Sequence, residues 1–526
     1  MRILVNQAEF DFQAYNKEIN KRNVVDSNTS VYDVKAHFFE TLEEIGSIVK
    51  INNDIDINEL QKLCNKSDTI FASFHEEPPI GIACRLLKHT KGALMLDGGF
   101  LNRWSFMKTT MNIVTSQRQA EQLNKALGKS TPLVAVFTPR INANYFRLPS
   151  KIEKQKAKKL NKLKEETFHL IFAGRFIANK GITQIIRALN LLTLKNIRLT
   201  LIGNFEQDFF IHQSNATHAT FTVFFEREVI NKNQNFELVC LPSMKHEDLR
   251  NLFWSADCFV YPSFHEDENF GLAPREAILS GIPVIVSDFC GLGNLANTSG
   301  KALKTYPSLG GVRFSIKELA NAINIISKRT IEENKIFAFQ DSKFVQDECS
   351  SKISKKELKT AIEQLLKIPV AEKPVGGWRS KTRFDNWVKD APKSFKDAVL
   401  KAEEKQLDGL YVEGAGYANG GWYSEPHFLK AIQSIYTTYP DVPQAKTNNI
   451  YRGFWRLSLL ESESAVIEFG FPGPRVLRFN QTEFNLIKSC ASFQNANDVL
   501  FLPKEYKQLK IIQRLIDLGY IVPDEF

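Results

Sequence analysis

Short, near-continuous apolar runs separated by stretches of helical spacing set the first constraint on this chain, and the alternation occurs twice. In residues 1–148 the runs are RILVN, SIVKIN, TIFASF, GALMLD, NIVTS and LVAVF, with helix-like pieces such as VKAHFFETLEEIG and RQAEQLNKALG between them. Apolar runs without polar alternation belong to strands covered on both faces, the environment of a parallel sheet. Strands that alternate with amphipathic helices wind such a sheet doubly. The pattern restarts at His169 with HLIFAG, TQIIRALNLL, RLTLIG, FELVCL, HEDLRNLFWSA, DCFVYP and PVIVSD, and closes with the helix KISKKELKTAIEQLLK over 352–367. The expectation is an α/β chain of two doubly wound, Rossmann-like domains facing a cleft, where ligands bind at the carboxyl ends of the strands.

The expected organisation is a first domain over 1–150, a charged connector over 151–167, a second domain over 168–368 and a C-terminal region over 369–526. The connector, KIEKQKAKKLNKLKEET, reads as a solvated helix or linker, with a membrane-facing basic strip as the alternative. The C-terminal region has a different texture. GGWRSKTRFDNW and GAGYANGGWYSEPHF are rich in glycine and aromatic residues, and TEFNLIKSC, DVLFLP and YKQLKIIQRLIDLGYIV follow as helix, strand, helix, strand. That order suits a small α+β accessory domain, winged-helix-like. Trp378, Trp387, Trp422, Tyr423 and Trp455 are either core or an aromatic platform for an acceptor.

Composition narrows the class. With 43% hydrophobic and 24% charged residues and 20 prolines among 526, the chain is globular rather than disordered. A net charge of +9 over this length is mild for a dedicated nucleic-acid binder, and no basic recognition helix stands out, so nucleic acid is not favoured. The surplus suits an anionic ligand such as a nucleotide, or peripheral contact with an acidic membrane surface. The seven cysteines form no C-x-x-C pair, and several lie in apolar runs. They read as buried thiols in a reducing compartment and argue against zinc. No apolar run reaches the roughly 18 residues needed to span a bilayer. MRILVNQAEFDF reads as a first strand with no secretory signal, so the expected location is cytoplasmic, with membrane-peripheral contact as the variant.

Chemistry-bearing residues concentrate in the second domain. The strand HLIFAG ends at Gly174, Arg175 follows at its carboxyl end, and Lys180 lies just before Gly181 and the next helix. A tight turn there aims two cations and nearby amides at one point above the sheet, a seat for a diphosphate; the alternative is two surface charges on a loop. After the strand FVYPS come Glu268 and Glu276, with seven residues between them. Pro274 suits the first turn of a helix. The amides of Phe270, Gly271 and Leu272 then lie at or just before its N-terminus, where Gly271 lets a ligand approach the backbone. Glu268 is expected on the loop and Glu276 in the first helical turn. The alternative is an exposed loop acid and a helix-terminal charge worth about 0.3–1 kcal/mol. Asp54-Ile55-Asp56 reads as a loop or helix cap and not as a metal motif.

As a set, G-R-x4-K-G (Gly174 to Gly181), P-S-x4-E-N-F-G-L-x3-E-A (Pro262 to Ala277) and G-I-P-V-I-V-S (Gly281 to Ser287) resemble the retaining GT-B-fold glycosyltransferases of family 4. The resemblance extends over residues 1–365 and is most specific between 169 and 300. It implies transfer of a sugar from a nucleotide-diphosphate sugar to an acceptor hydroxyl, with retention, no metal and no cofactor beyond the co-substrate. It also implies roles. Arg175 and Lys180 neutralise the departing diphosphate, Glu276 binds the ribose, and Glu268 holds sugar hydroxyls. Gly174, Asn269, Phe270, Gly271 and Leu272 frame the donor. Three positions depart from the family pattern. No glycine follows RILVN, Arg140 replaces a glycine, and Asp97 replaces a histidine at the end of GALMLD. Asp97 either holds a hydroxyl or polarises the acceptor, or else caps the Asp-Gly turn. His75, at the end of TIFASF, is either a further donor contact or structural. The resemblance leaves the acceptor open among a glycan, a glycolipid and a polypeptide. Two other readings are a peptide, protein or nucleic-acid acceptor recruited by the C-terminal region, and a non-catalytic scaffold that binds nucleotide sugars.

Overall fold

The structure, a computed structural model, describes residues 1–7, 10, 29–52, 54–64, 66–74, 91–95, 110–127, 134–177, 180–204, 235–264, 268, 270–308, 311–368, 442–447, 449–454, 457–460, 464–468, 475–481, 484–485, 499–501, 506–517, 519 and 521–525. The chain divides into two compact units, Met1–Ile141 with Glu348–Thr438, and Asn142–Asp347 with Tyr439–Phe526.

The first unit holds β1 (Arg2–Asn6), α1 (Thr29–Ile45), β2 (Ser47–Ile51), α2 (Ile57–Cys64), β3 (Thr69–Phe74), β4 (Gly92–Met95), β5 (Thr110–Val114), α3 (Gln117–Leu127) and β6 (Val134–Val136). The six strands pair in the order β2-β1-β3-β4-β5-β6, every pair parallel. Ile3, Leu4 and Val5 of β1 are buried in succession, as a strand covered on both faces requires. Helix α1 buries Val34, Phe38 and Leu42, spaced by one turn, along the stripe that faces the core. Asp56 of the D-x-D string caps α2: its Oδ1 accepts from the backbone N–H of Asn58 at 2.8 Å and of Glu59 at 3.2 Å.

The second unit opens with α4 (Lys151–Leu160), the charged connector. It is a capped helix: Ser150 and Glu153 form a reciprocal capping box, and Lys158 pairs with Asp257 at 3.2 Å. Next come β7 (Phe168–Ala173), α5 (Ile182–Leu189), β8 (Asn196–Ile202), β9 (Asn235–Leu241), α6 (His246–Ser255), β10 (Cys258–Tyr261), α7 (Leu272–Leu279), β11 (Val284–Ser287) and β12 (Lys301–Leu303). These strands pair in the order β12-β11-β10-β7-β8-β9, again all parallel. The chain runs outward from β7 through β8 to β9, then crosses back to lay β10 on the other side of β7. That reversal is a topological switch point. The hairpin β13 (Thr305–Ser308) and β14 (Gly311–Phe314) follows, then α8 (Ile316–Ser327) and α9 (Ile331–Glu348).

Helix α10 (Ser351–Lys367) belongs with the first unit. Its Glu357 accepts from the Thr138 backbone N–H at 3.0 Å, and its Lys355 pairs with Glu44 at 3.0 Å. The C-terminal residues group instead with the second unit. There β15 (Tyr451–Gly453), β16 (Leu457–Leu460), β17 (Ala465–Glu468), β18 (Arg475–Arg478), β19 (Val499–Phe501), α11 (Tyr506–Asp517) and β20 (Ile521–Pro523) build two small antiparallel sheets, β19-β15-β20 and β16-β17-β18. The strand, helix, strand order expected from DVLFLP onward is present as β19, α11 and β20. Trp378, Trp387, Trp422, Tyr423 and Trp455 lie outside the described residues. Among the described residues no helix is long and apolar enough to cross a membrane.

Each unit buries a histidine. In the first, the Arg140 backbone N–H donates to His37 Nδ1 at 3.1 Å; in the second, His169 Nε2 meets Thr200 Oγ1 at 2.8 Å. Burial pushes both imidazoles down from 6.5 to about 4, and at His37 the Arg140 charge adds to the effect. The folded forms therefore bind fewer protons than the unfolded chain between these two values. Their contribution is complete above pH 6.5 and is lost as pH falls toward 4. We expect a loss on the order of 3 kcal/mol per histidine across that window. Thermal midpoints measured against pH should fall in wild type, and His169→Gln should flatten the decline. An unchanged slope in that variant would assign the acid sensitivity to other groups.

Candidate functional site

The switch point lies between β7 and β10, the place where doubly wound sheets seat ligands, and the motif residues of the second unit follow the carboxyl ends of these strands. Beyond β7 the chain passes through Gly174 and leaves Arg175 exposed, while the Phe176 backbone N–H donates to Asn204 O at 2.9 Å and its ring is buried. Gly181, at φ 83°, is the N-cap of α5. A Cβ at Gly181 would stand 2.4 Å from the Pro262 carbonyl oxygen. Only a glycine lets α5 begin directly against the segment that leaves β10. That approach sets Lys180 beside the loop that carries Glu268.

Lys180 Nζ lies 2.5 Å from Glu268 Oε2, and the two side chains are 9% and 8% exposed. Lys180 is thus no surface charge, and Glu268 is no exposed loop acid. Ser263 Oγ donates to the same Glu268 oxygen at 2.6 Å, and the Tyr261 hydroxyl donates to it at 3.4 Å. Ser263 is itself held, since Ser287 Oγ donates to its carbonyl oxygen. The Tyr261 ring stacks on Phe172 with centroids 5.4 Å apart, which aligns the ends of β10 and β7. Burial by itself would lower the Lys180 ammonium; the adjacent Glu268 carboxylate more than offsets this and holds it above its ordinary value. Burial, reinforced by the Glu268 charge, pushes the Tyr261 phenol up to about 12, so it remains a hydrogen-bond donor. Among the described residues, the side-chain partners of Glu268 converge on Oε2.

The turn into α7 is the second half of the site. Gly271 is its N-cap at φ 76°, and a Cβ there would meet Leu292 Cδ2 at 2.4 Å. Phe270 is buried beneath the turn, and Leu272 opens the helix. The backbone amides of this turn point past the helix N-terminus, where an anion is favoured. Glu276 is the fifth residue of α7 and half-buried, so it lies in the second turn and not in the first as expected. Asp97, His75 and Asn269 lie outside the described residues.

Three residues that the sequence left without a role support this arrangement. Ser263 and Tyr261 orient the Glu268 carboxylate. Arg275 is fully buried: it donates to the Phe270 carbonyl and to the Gly291 carbonyl at 3.4 Å, and its guanidinium lies 3.6 Å from the Phe270 ring centre. It fixes the turn from the inside. The available signal was a lone cation in the otherwise apolar LAPREAIL, where a solvent-facing arginine would have looked the same.

Residues 153–336, which include every motif residue described above, match the family model described as Glycosyl transferases group 1. A D-inositol 3-phosphate glycosyltransferase of Paenarthrobacter aurescens is 26% identical over 186 residues, 34% of this chain and 41% of that protein. An uncharacterized glycosyltransferase of Methanocaldococcus jannaschii is 28% identical over 139 residues, 26% of this chain and 32% of that protein. The matches thus span about two-fifths or less of the length of these curated relatives. Among solved structures, sucrose-phosphate synthase from Thermosynechococcus elongatus aligns with a TM-score of 0.49 at 15% identity, covering 69% of this chain and 99% of that one.

Removing one partner of a buried ion pair strands the other charge, at a cost of about 3–5 kcal/mol. Lys180→Met should therefore lower the urea midpoint of the second unit strongly. The double variant Lys180→Met, Glu268→Gln should lose less than the sum of the two single losses. Additive losses would show that the pair does not form in solution.

Proposed function

We propose that this protein is a glycosyltransferase of GT-B architecture that moves a sugar from a nucleotide-diphosphate sugar to an acceptor hydroxyl, with retention and without a metal ion. The observation that carries this reading is the Lys180–Glu268 pair at the β7/β10 switch point, inside the segment that matches the glycosyltransferase model. A ligand crevice in a doubly wound sheet belongs at that point. Its contents suit a donor with an anionic leaving group and a polyhydroxylated ring.

In this reading Arg175 and Lys180 receive the diphosphate. A lysine ammonium carries three donors, so its bond to Glu268 leaves capacity for phosphate oxygens. The amides at the start of α7 hold the same anion or the adjoining sugar, and Glu268 Oε1 accepts from a sugar hydroxyl. Glu276 takes the ribose hydroxyls. As the glycosidic bond breaks, positive charge develops at the sugar carbon and negative charge on the departing diphosphate. Cations held in place before the reaction stabilise that charge without reorganising, which lowers the barrier to bond breaking. The two cations supply the neutralisation that a divalent metal supplies elsewhere, and this is the ground for proposing metal-independent transfer.

A screen of nucleotide sugars, read by mass spectrometry of released nucleotide and glycosylated product, identifies the donor. With that donor, Arg175→Ala should reduce kcat by about 10²–10³, the scale of removing one preorganised charge-stabilising group. Because Arg175 is exposed, the thermal midpoint should hold. Full turnover in Arg175→Ala and in Glu268→Gln would overturn the site assignment.

A further inference from the structure

The Lys180–Glu268 pair is framed by a strand from far outside the segment that matches the glycosyltransferase model. Helix α5, which follows Lys180, has its apolar side against the sheet, yet Gln184 and Arg187 are buried as well, at 0% and 4% exposure. The C-terminal strand β15 covers them. Gln184 Nε2 donates to Phe454 O at 2.9 Å, and Arg187 donates to Gly453 O at 2.6 Å. Among the described residues, Gln184 Oε1 is buried without a hydrogen-bond partner. A buried amide with an unsatisfied oxygen is costly, so the bond to Phe454 is what keeps a polar residue at this position.

The same residue reaches the other half of the pair. The Phe454 ring meets Phe264 edge-on at 5.1 Å and Phe314 at 5.3 Å, and the Arg313 guanidinium lies 4.7 Å from its centre. Phe264 directly follows Ser263, whose hydroxyl holds the Glu268 carboxylate. Phe454 therefore meets α5, which starts just after Lys180, through its carbonyl oxygen, and the segment that orients Glu268 through its ring. Its own position is fixed by the small sheet around β15. Arg452 pairs with Asp524 at 2.6 Å, Arg313 donates to Gly519 O at 2.7 Å, and Ser315 Oγ donates to Asp524 O at 2.9 Å.

We infer that Phe454 is a positioning residue for the Lys180–Glu268 pair, and that the C-terminal strand β15 is a working part of the donor site. The role in transfer rests on the reading above; the bracing of the pair does not. Without the Phe454 ring, the Ser263–Phe264 segment loses its edge-to-face contact, and the carbonyl that Gln184 of α5 holds is no longer tied to it through the ring. Lys180 and Glu268 then separate more often, and the ammonium opens to solvent.

The test uses the full chain and an amine-acetylating reagent, with modification at each lysine read by mass spectrometry. In wild type Lys180 should be protected, while the exposed Lys335 reacts freely. Phe454→Ala removes two edge-to-face contacts and should raise Lys180 acetylation about tenfold, with Lys335 unchanged. Phe454→Leu, which keeps much of the apolar volume, should restore most of the protection. If Phe454→Ala does not fold by circular dichroism, Gln184→Met removes only the bond to Phe454 O and should raise Lys180 labelling in the same direction. Donor turnover measured alongside should fall in kcat more than it changes in KM, because positioning in the transition state is lost. Unchanged Lys180 protection in the folded variants would overturn the inference. A wild type inert toward every nucleotide sugar would end the transferase reading and leave the labelling comparison decisive on its own terms.

Discussion

The contact between Lys180 and Glu268 organises the second unit. Removing two opposite charges from water costs several kcal/mol per ion before their attraction returns anything. Such a pair persists only if its geometry is fixed and the remaining hydrogen-bonding capacity is met. The surroundings do both. Ser263 and Tyr261 satisfy the carboxylate oxygen that faces Lys180, and Ser287 holds Ser263. Gly181 lets α5 start against the Pro262 carbonyl, so the lysine has no distance to span. The partners are 88 residues apart in the chain, yet the sheet order makes their strands neighbours. The switch point, where a doubly wound sheet seats its ligands, is thus also where the charged pair is set.

The domain that holds this pair is larger than the segment matched by the glycosyltransferase model. Residues 153–336 supply the parallel sheet, both motif loops and α7. Gln184 and Arg187 of α5 and the aromatic ring of Phe264 draw partners from β15 and the residue that follows it. Described residues near the C-terminal end of the sequence, Gly453 and Phe454 among them, therefore form part of the core of the preceding unit. Helix α10 makes the reverse exchange, leaving the end of the second unit's sequence to pack with residues of the first. Sequence order and spatial grouping part company at both places.

Much of the architecture was legible because strands covered on both faces need uninterrupted apolar residues. RILVN, TIFASF, HLIFAG, FELVCL and PVIVSD coincide with β1, β3, β7, β9 and β11 within a residue or two at each end. The elements that the pattern did not announce are those whose burial comes from neighbours. Strand β12 has three residues, and the β13–β14 hairpin contains Pro307 and the buried Arg313. Two features of the site were misread or missed for the same reason. Glu276 was expected in the first turn of α7, but the helix begins at Leu272, set by the left-handed Gly271. Arg275 carries a charge that periodicity assigns to solvent, and it is fully buried because two backbone carbonyls and a phenyl ring meet it there.

The sequence by itself determined two parallel α/β sheets, the glycines at the tight turns, and the cation and carboxylate that the motifs single out. Each depends on local properties: apolar runs, backbone conformations that favour glycine, and residue types at fixed spacing. Tertiary structure alone decided that Lys180 and Glu268 touch each other and that one carboxylate oxygen is committed to the protein. It alone placed Phe454, about 190 residues beyond the motif loop, with its carbonyl on Gln184 and its ring on Phe264. Those outcomes depend on which surfaces meet across long stretches of chain. No local pattern encodes them, because burial of a charge or an amide is settled by what covers it.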